Sequence, residues 1–400
     1  MASVKYWVWL SECHSIPNRT KLALLEHFGT PENIYYADEG EYLLVEGMDT
    51  QAAKALTDKN TERVERILGE SERLGLRLLT LQDADYPVRL RNIYEPPCLL
   101  YVKGRLPVID EEAAVAMVGT RAATPYGVSA AEKIAYGLAK QGALVISGGA
   151  RGIDTASHRG ALRAGGRTVA VFGCGLDVNY PEENEWLFRD IAASGALLSE
   201  YPPGTPADGW HFPVRNRIIS GLSLATLVVE APEKSGALIT ARTALDQGRD
   251  VFAVPGPIDA PNSRGCNRLI AEGAGLVADS WDILREYESQ YPHKLMGQRV
   301  ELPRVLGEAA ERTVKPAETV DELPKLPVLD LREGKTDLTD DQIRLLKLLR
   351  DGPQQVDDLI EAAEIPTRRV LSALTVLEID GHVTQSSGKH FSLNAELLEE

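Results

Sequence analysis

Between residues 111 and 288 the chain keeps returning to one pattern, a short apolar run followed by a longer stretch with helical spacing. The runs AAVAMVG, GALVISGG, RTVAVFG, GALLSEY, ATLVVEA and RDVFAVP are nearly continuous in apolar and β-branched residues. Strands of that kind are buried on both faces, so they predict a parallel sheet covered by helices on each side. GVSAAEKIAYGLAKQG and NEWLFRDIAAS supply the helical periodicity between them. The fold class expected for 106–288 is therefore α/β, a Rossmann-like doubly wound parallel sheet of about six or seven strands.

The flanks read differently. Residues 1–105 are patterned as helices with a connector behind them. NRTKLALLEHFGT runs from Asn18 to Gly29, GMDTQAAKALTD follows an Asp-Thr cap, and TERVERILGESERLG is a longer helix. These helix–glycine–helix pairs suggest a SAM-like or helix-hairpin-helix module with incomplete hairpin glycines, suited to protein contact as much as to DNA. DADYPVRLRNIYEPPCLLYVKG reads as an extended connector. Residues 289–337 lose periodicity and become rich in Pro and charge, as a linker does. From 338 to 400 three helical patterns precede HVTQSSGKHFSLN, the outline of a winged helix.

Composition narrows the function classes. The formal net charge is −16 and the pI about 5.0, so a broad basic face for nucleic acid is excluded and any phosphate site must be local. Cys13, Cys98, Cys174 and Cys266 are far apart, with no CxxC pair, which predicts reduced thiols and neither zinc nor a disulfide framework. No apolar run approaches the roughly 20 residues that span a bilayer. The N-terminus lacks the apolar core and cleavage site of a signal peptide, so the expected location is cytoplasmic, away from the membrane.

In an open parallel sheet ligands bind beyond the carboxyl ends of the strands. The first strand delivers Gly119, Thr120 and Arg121 there, and the second Ser147, Gly148, Gly149 and Arg151. The fourth is followed by Arg215, Asn216 and Arg217, and the fifth by Lys234 and Ser235. Several helix N-termini with free amides are expected on this edge, beside Arg121, Arg151, Arg217 and Lys234. Amides at a helix start favour anions, and guanidinium forks match phosphate oxygens. The edge is thus expected to be a phosphate-binding rim, although each piece has a plainer role. Gly-Gly can be only a tight turn, Arg121 can pair with Asp154, and RNR can cap a helix. Asp154 and His158 lie four apart on one helix but lack a third metal ligand. Among the aromatics near the rim, Trp210 and Phe212 are candidates for base stacking, with core packing as the default for both.

VGTRAATPYG, ISGGARGIDTASHRGAL, VFGCGLDVNYPEENEWLF, FPVRNRIISGLS, VVEAPEKSGALITARTALDQGRDVFAVPG and SRGCNRLIAEGA occur in this order. Together they resemble the DprA/Smf family of DNA-processing proteins across the whole central domain. The flanking SAM-like and winged-helix segments fit the family's usual additions. The resemblance implies a protein that is not an enzyme and needs no cofactor. It would bind and protect single-stranded DNA, load the RecA recombinase during natural transformation, and form a homodimer through the Rossmann domain. The family's basic pocket maps onto Arg121 and Lys234, with Ser147, Gly148, Gly149, Arg151, Asn216 and Arg217 as the rest of its lining. Thr120 stands where the motif commonly has serine, which keeps the hydroxyl.

Two further readings bear on this one. SGGARGID is similar to the phosphate loop of phosphoribohydrolases of the lysine-decarboxylase-like type, nucleotide-binding Rossmann enzymes. Their PGGxGT stretch and catalytic glutamate are missing here, and APEKSGALIT stands in the slot. The winged-helix segment opens its presumed recognition helix with Arg368 and Arg369, yet carries twice as many acidic as basic residues. That charge favours a protein-contact role over duplex reading.

Overall fold

The computed structural model describes residues 3–295 and, further on, 328–330, 332, 338–352, 354–363, 365–380, 382–386, 390–394 and 396–398. Most of the segment expected to be a linker, 289–337, lies outside the described residues. The chain forms two compact units, one holding residues 3–295 and the other 328–398.

The first unit is built on a nine-stranded sheet. Its strands are β1 (Arg77–Thr80), β2 (Leu99–Gly104), β3 (Ala114–Val118), β4 (Leu144–Ser147), β5 (Thr168–Phe172), β6 (Ala196–Ser199), β7 (Ala225–Val228), β8 (Asp250–Ala253) and β9 (Gly275–Leu276). They lie in the order β1-β2-β6-β5-β4-β3-β7-β8-β9. The seven from β6 to β9 are mutually parallel. The expected connector is corrected here: β2 pairs antiparallel with β6, Tyr101 opposite Ser199, and β1 pairs antiparallel with β2. The sheet therefore begins at residue 77, well before 106.

Alternation along the strands divides the core into two faces. Ala114, Ala116 and Val118 of β3 join Ile218, Ile219, Ala237 and Ala241 on one face. Val115 and Met117 join Ile134, Leu138 and Ile153 on the other. That second face continues beyond β5 as the core of the N-terminal helices, where Trp7, Leu10, Leu24 and Ile34 meet Tyr101, Phe172 and Leu197. The helical segment is thus a cover on the sheet, sharing its core. Helix Val4–Glu12 belongs to this cover with Tyr6 through Leu10 all buried. Its apolar residues are consecutive and show no amphipathic spacing. Helix Asn18–Phe28 ends at Gly29 (φ 78°) as its sequence predicts, and Asp49 caps helix Thr50–Leu56.

The second unit has helices Asp340–Leu348, Val356–Ala363 and Thr367–Ile379, followed by an antiparallel pair of strands, Val383–Ser386 and His390–Leu393. Gln354–Gln355 adds a third strand to that pair. This is the winged helix the pattern predicts. Val328–Asp330, expected to be linker, forms a strand parallel to Glu396–Leu398.

Candidate functional site

From β3 the chain winds outward through β4, β5 and β6, then returns to the other side of β3 and continues through β7, β8 and β9. The connections leave β3 and β7 in opposite directions, which opens a crevice between their carboxyl ends. A cleft of about 400 Å³ occupies that crevice. Gly119, Thr120 and Arg121 form one wall, Lys234 and Ser235 the facing one, and Asn216 lies between them on helix His211–Gly221. Six of the expected residues are therefore brought together.

Arg121 is exposed, has no ion pair among the described residues, and holds its guanidinium 4.7 Å from the centre of the Phe212 ring. Lys234 is exposed and likewise unpaired. Ser235 caps helix Gly236–Asp246, its Oγ accepting a hydrogen bond from Ala237 N at 3.3 Å. Gly236 and Ala237 line the cleft, so this helix start with its partial positive charge faces the two cations.

Two other helix starts differ from the expectation, because the protein's own carboxylates take amides just ahead of them. Helix Pro125–Lys140 follows β3, where a dinucleotide's pyrophosphate would sit. There the buried carboxylate of Glu230 accepts from Thr124 N at 2.8 Å and Thr124 Oγ1 at 2.6 Å. A Cβ on Gly127 would come within 2.3 Å of Glu230 Oε2. Asp154, on the first turn of helix Ile153–Arg163, accepts from Ala150 N at 3.3 Å. Burial pushes its carboxyl pKa up, against the opposing pull of Arg215 and Arg121.

The Ser147–Gly149 turn is filled from within. Ser147 Oγ donates to Met117 O at 2.6 Å. Arg215, 3% exposed, donates from Nη1 to Gly148 O at 2.7 Å and to Val171 O. A Cβ on Gly148 would lie 2.3 Å from that nitrogen, and one on Gly149 2.9 Å from Phe188. These glycines are buried and admit side chains of the protein itself. Gly119 has the same character, since a Cβ would press on Ile153 and on the Glu230 carbonyl. Burial lowers the Arg215 pKa to about 10, so it stays cationic at neutral pH beneath the cleft.

Two expected rim cations stand outside the cleft lining. Arg151 is held by Glu183, with an Nη2–Oε2 distance of 3.1 Å. Arg217 reaches both oxygens of Glu200 at 2.8 Å, and Glu200 also accepts from Asn18 on the N-terminal cover. Asp154 and His158 turn to separate partners; His158 Nδ1 is 2.8 Å from Thr168 Oγ1. Sequence reasoning set Arg215 at the rim without giving it a role, and passed over Glu230 and the carboxylates that hold Arg151 and Arg217. A helix repeat of about 100° per residue is the signal available for Arg215, because it sets Arg215 and Arg217 on different faces. Of the aromatics, Phe212 lines the cleft between Arg121 and Tyr180, whereas Trp210 is 66% exposed and outside the core.

Residues 77–288, more than half of the chain, match the family model of DNA recombination-mediator protein A, and 332–389 match the DprA winged helix domain. Protein Smf of Synechocystis is 36% identical over 96% of this chain and 98% of its own. The chain belongs to the DprA/Smf family of DNA-processing proteins. DNA processing protein DprA of Streptococcus pneumoniae is 46% identical over 52% of this chain and 73% of its own. A crystal structure of DprA from that organism superposes with a TM-score of 0.64 and 36% identity, covering 72% of this chain and 99% of that one. Among the described residues no helix is long and apolar enough to cross a membrane.

Proposed function

We propose that the crevice between β3 and β7 binds the phosphate backbone of single-stranded DNA. The chain would then protect the strand and load the RecA recombinase onto it in natural transformation and homologous recombination. Family membership supports the DNA-processing part of this reading. One observation carries the choice of site: Arg121 and Lys234, both without carboxylate partners among the described residues, share a cleft with the open start of helix Gly236–Asp246. Charge-assisted hydrogen bonds from a guanidinium, an ammonium and backbone amides suit phosphate oxygens and read no sequence. Asn216 supplies a neutral donor, and Thr120 and Gly119 form the wall beside Arg121.

Phe212 supports the Arg121 guanidinium, which lies over its ring in the cleft. With so few cations, one protomer makes few phosphate contacts, and a homodimer through the Rossmann domain joins two clefts on one strand. The reading is of a binding protein rather than an enzyme, acting in the cytoplasm. In the second unit Arg369 is held by Asp341 at 2.7 Å, which removes one of the two cations at the start of the recognition helix. We assign that unit a protein partner.

Nuclease protection tests the proposal. The wild type shields a labelled single strand, and Arg121→Ala with Lys234→Ala leaves it open to digestion. Equal protection by the two proteins would remove the cleft from the account. Release of free base from a nucleoside monophosphate would instead make the chain an enzyme.

A further inference from the structure

A second cavity of about 240 Å³ lies next to the cleft, where the N-terminal cover meets the sheet. The two are neighbours in the chain as well: Gly209 lines the cleft and Trp210 lines the cavity. The chemistry of this cavity is unlike that of the cleft. Ile16, Pro17 and Leu99 give it an apolar floor. Glu12 and Glu200 stand at its edge, held by Arg63 at 2.6 Å and Arg217 at 2.8 Å. Lys21 is buried there and donates to Ser11 O at 2.9 Å. Its two carboxylates are already paired with arginines and the Lys21 ammonium is taken up by Ser11 O, so the cavity offers a phosphate no free cation among the described residues. It suits a flat, neutral ring whose exocyclic groups can meet carboxylate and amide.

Trp210 stands at the entrance. It touches His211 edge-on, centroids 4.0 Å apart and planes at 61°, and remains 66% exposed. Behind it the buried His211 ring packs on Tyr201 at 4.1 Å, and its Nδ1 has no hydrogen-bond partner among the described residues. A large indole outside the core, supported from behind and uncovered in front, is a surface on which a base can stack.

We infer that this cavity is a nucleobase subsite for the same strand whose phosphates lie in the cleft, with Trp210 as the stacking platform between them. The inference rests on the cleft being the single-strand site. It gives the N-terminal cover a part in binding DNA, through the cavity wall that it completes.

The test uses the full chain and fluorescent oligothymidylates short (~4 nucleotides) and longer (~16 nucleotides), lengths bracketing common single-strand sites. Trp210→Ala weakens binding of the longer strand roughly fivefold or more, the scale of one lost base stack. It leaves the shorter strand unchanged, and Trp210→Phe restores most of the loss. Quenching of intrinsic fluorescence by the longer strand falls in Trp210→Ala. Equal affinities for wild type and Trp210→Ala at both lengths would overturn the subsite while leaving the cleft intact. Equal weakening at both lengths would also overturn it, because Trp210 would then belong to the cleft. Wild-type binding that ignores Arg121→Ala would remove the cleft reading, and the subsite with it.

Discussion

Arg121 and Lys234 on one side, and Arg151 and Arg217 on the other, carry the same charge near the same sheet edge and have opposite circumstances. The first pair makes no ion pair among the described residues, although Asp154 also lines the cleft, and the second is held by Glu183 and Glu200. The same division runs through the backbone. The helix start at Ser235 carries only its own serine cap, whereas Glu230 takes Thr124 N and Asp154 takes Ala150 N, each just ahead of another helix. An acidic chain can thus hold some cations of one edge in ion pairs and leave others exposed. On the proposed reading the exposed, unpaired cations of the cleft mark the anion site, and the number of cations near the edge does not reveal it.

The largest expected effect comes from removing both free cations. Each charge-assisted contact is worth about 1.5–3 kcal/mol, so Arg121→Ala with Lys234→Ala weakens single-strand binding roughly a thousandfold. An equilibrium titration of a labelled oligonucleotide reads this directly. Arg217→Ala should act on the fold instead. The Arg217–Glu200 pair is 11% and 18% exposed, and losing one partner of such a pair costs about 3 kcal/mol. Urea unfolding reports that loss, while the folded fraction keeps the wild-type salt slope of DNA binding. A lower slope per folded molecule would move Arg217 back to the phosphate site.

The filled side of the division also has a pH signature. His158 is fully buried, and burial lowers its pKa from 6.5 to about 3. Its folded pKa lies below the unfolded one, so its contribution is complete above pH 6.5 and declines as pH falls towards 3. Between pH 7 and pH 5 this group alone removes about 2 kcal/mol of stability. His158→Asn should flatten unfolding free energy over that window, and an unchanged slope would assign the acid sensitivity elsewhere. The smallest effect belongs to Arg151→Ala. The Arg151–Glu183 pair is 65% and 51% exposed, and exposed pairs contribute about 0–1 kcal/mol. Stability and DNA affinity should both stay close to wild type, which differential scanning and titration can check together.

Much of this was legible along the chain. The six apolar runs became β3 to β8, because fully buried parallel strands leave an unbroken apolar signal. Arg121, Asn216, Lys234 and Ser235 could be placed in the site because strand ends dictate where loops converge. β1 and β2 were hidden: antiparallel strands need no crossover helix, and the Pro-rich stretch between them reads as a connector. Helix Val4–Glu12 was hidden for the opposite reason, having no polar face in its middle. The pairing of Arg151 and Arg217 depends on Glu183, 32 residues away, and Glu200, 17 away, and no local pattern reports it. Gly148 and Gly149 looked like a phosphate loop because a glycine shows only that something approaches closely. Here the approaching groups are Arg215 and Phe188.

The central claim is that the unpaired cations, and not the paired ones, hold the phosphates. The most direct measurement is the salt dependence of single-strand affinity for the wild type and four single variants, Arg121→Ala, Lys234→Ala, Arg151→Ala and Arg217→Ala. A lost phosphate contact lowers the slope of log K against log salt by about 0.7. The account predicts that reduction for Arg121→Ala and Lys234→Ala, and wild-type slopes for the other two. Equal slopes in all four variants, or a reduction confined to Arg151→Ala and Arg217→Ala, would contradict it.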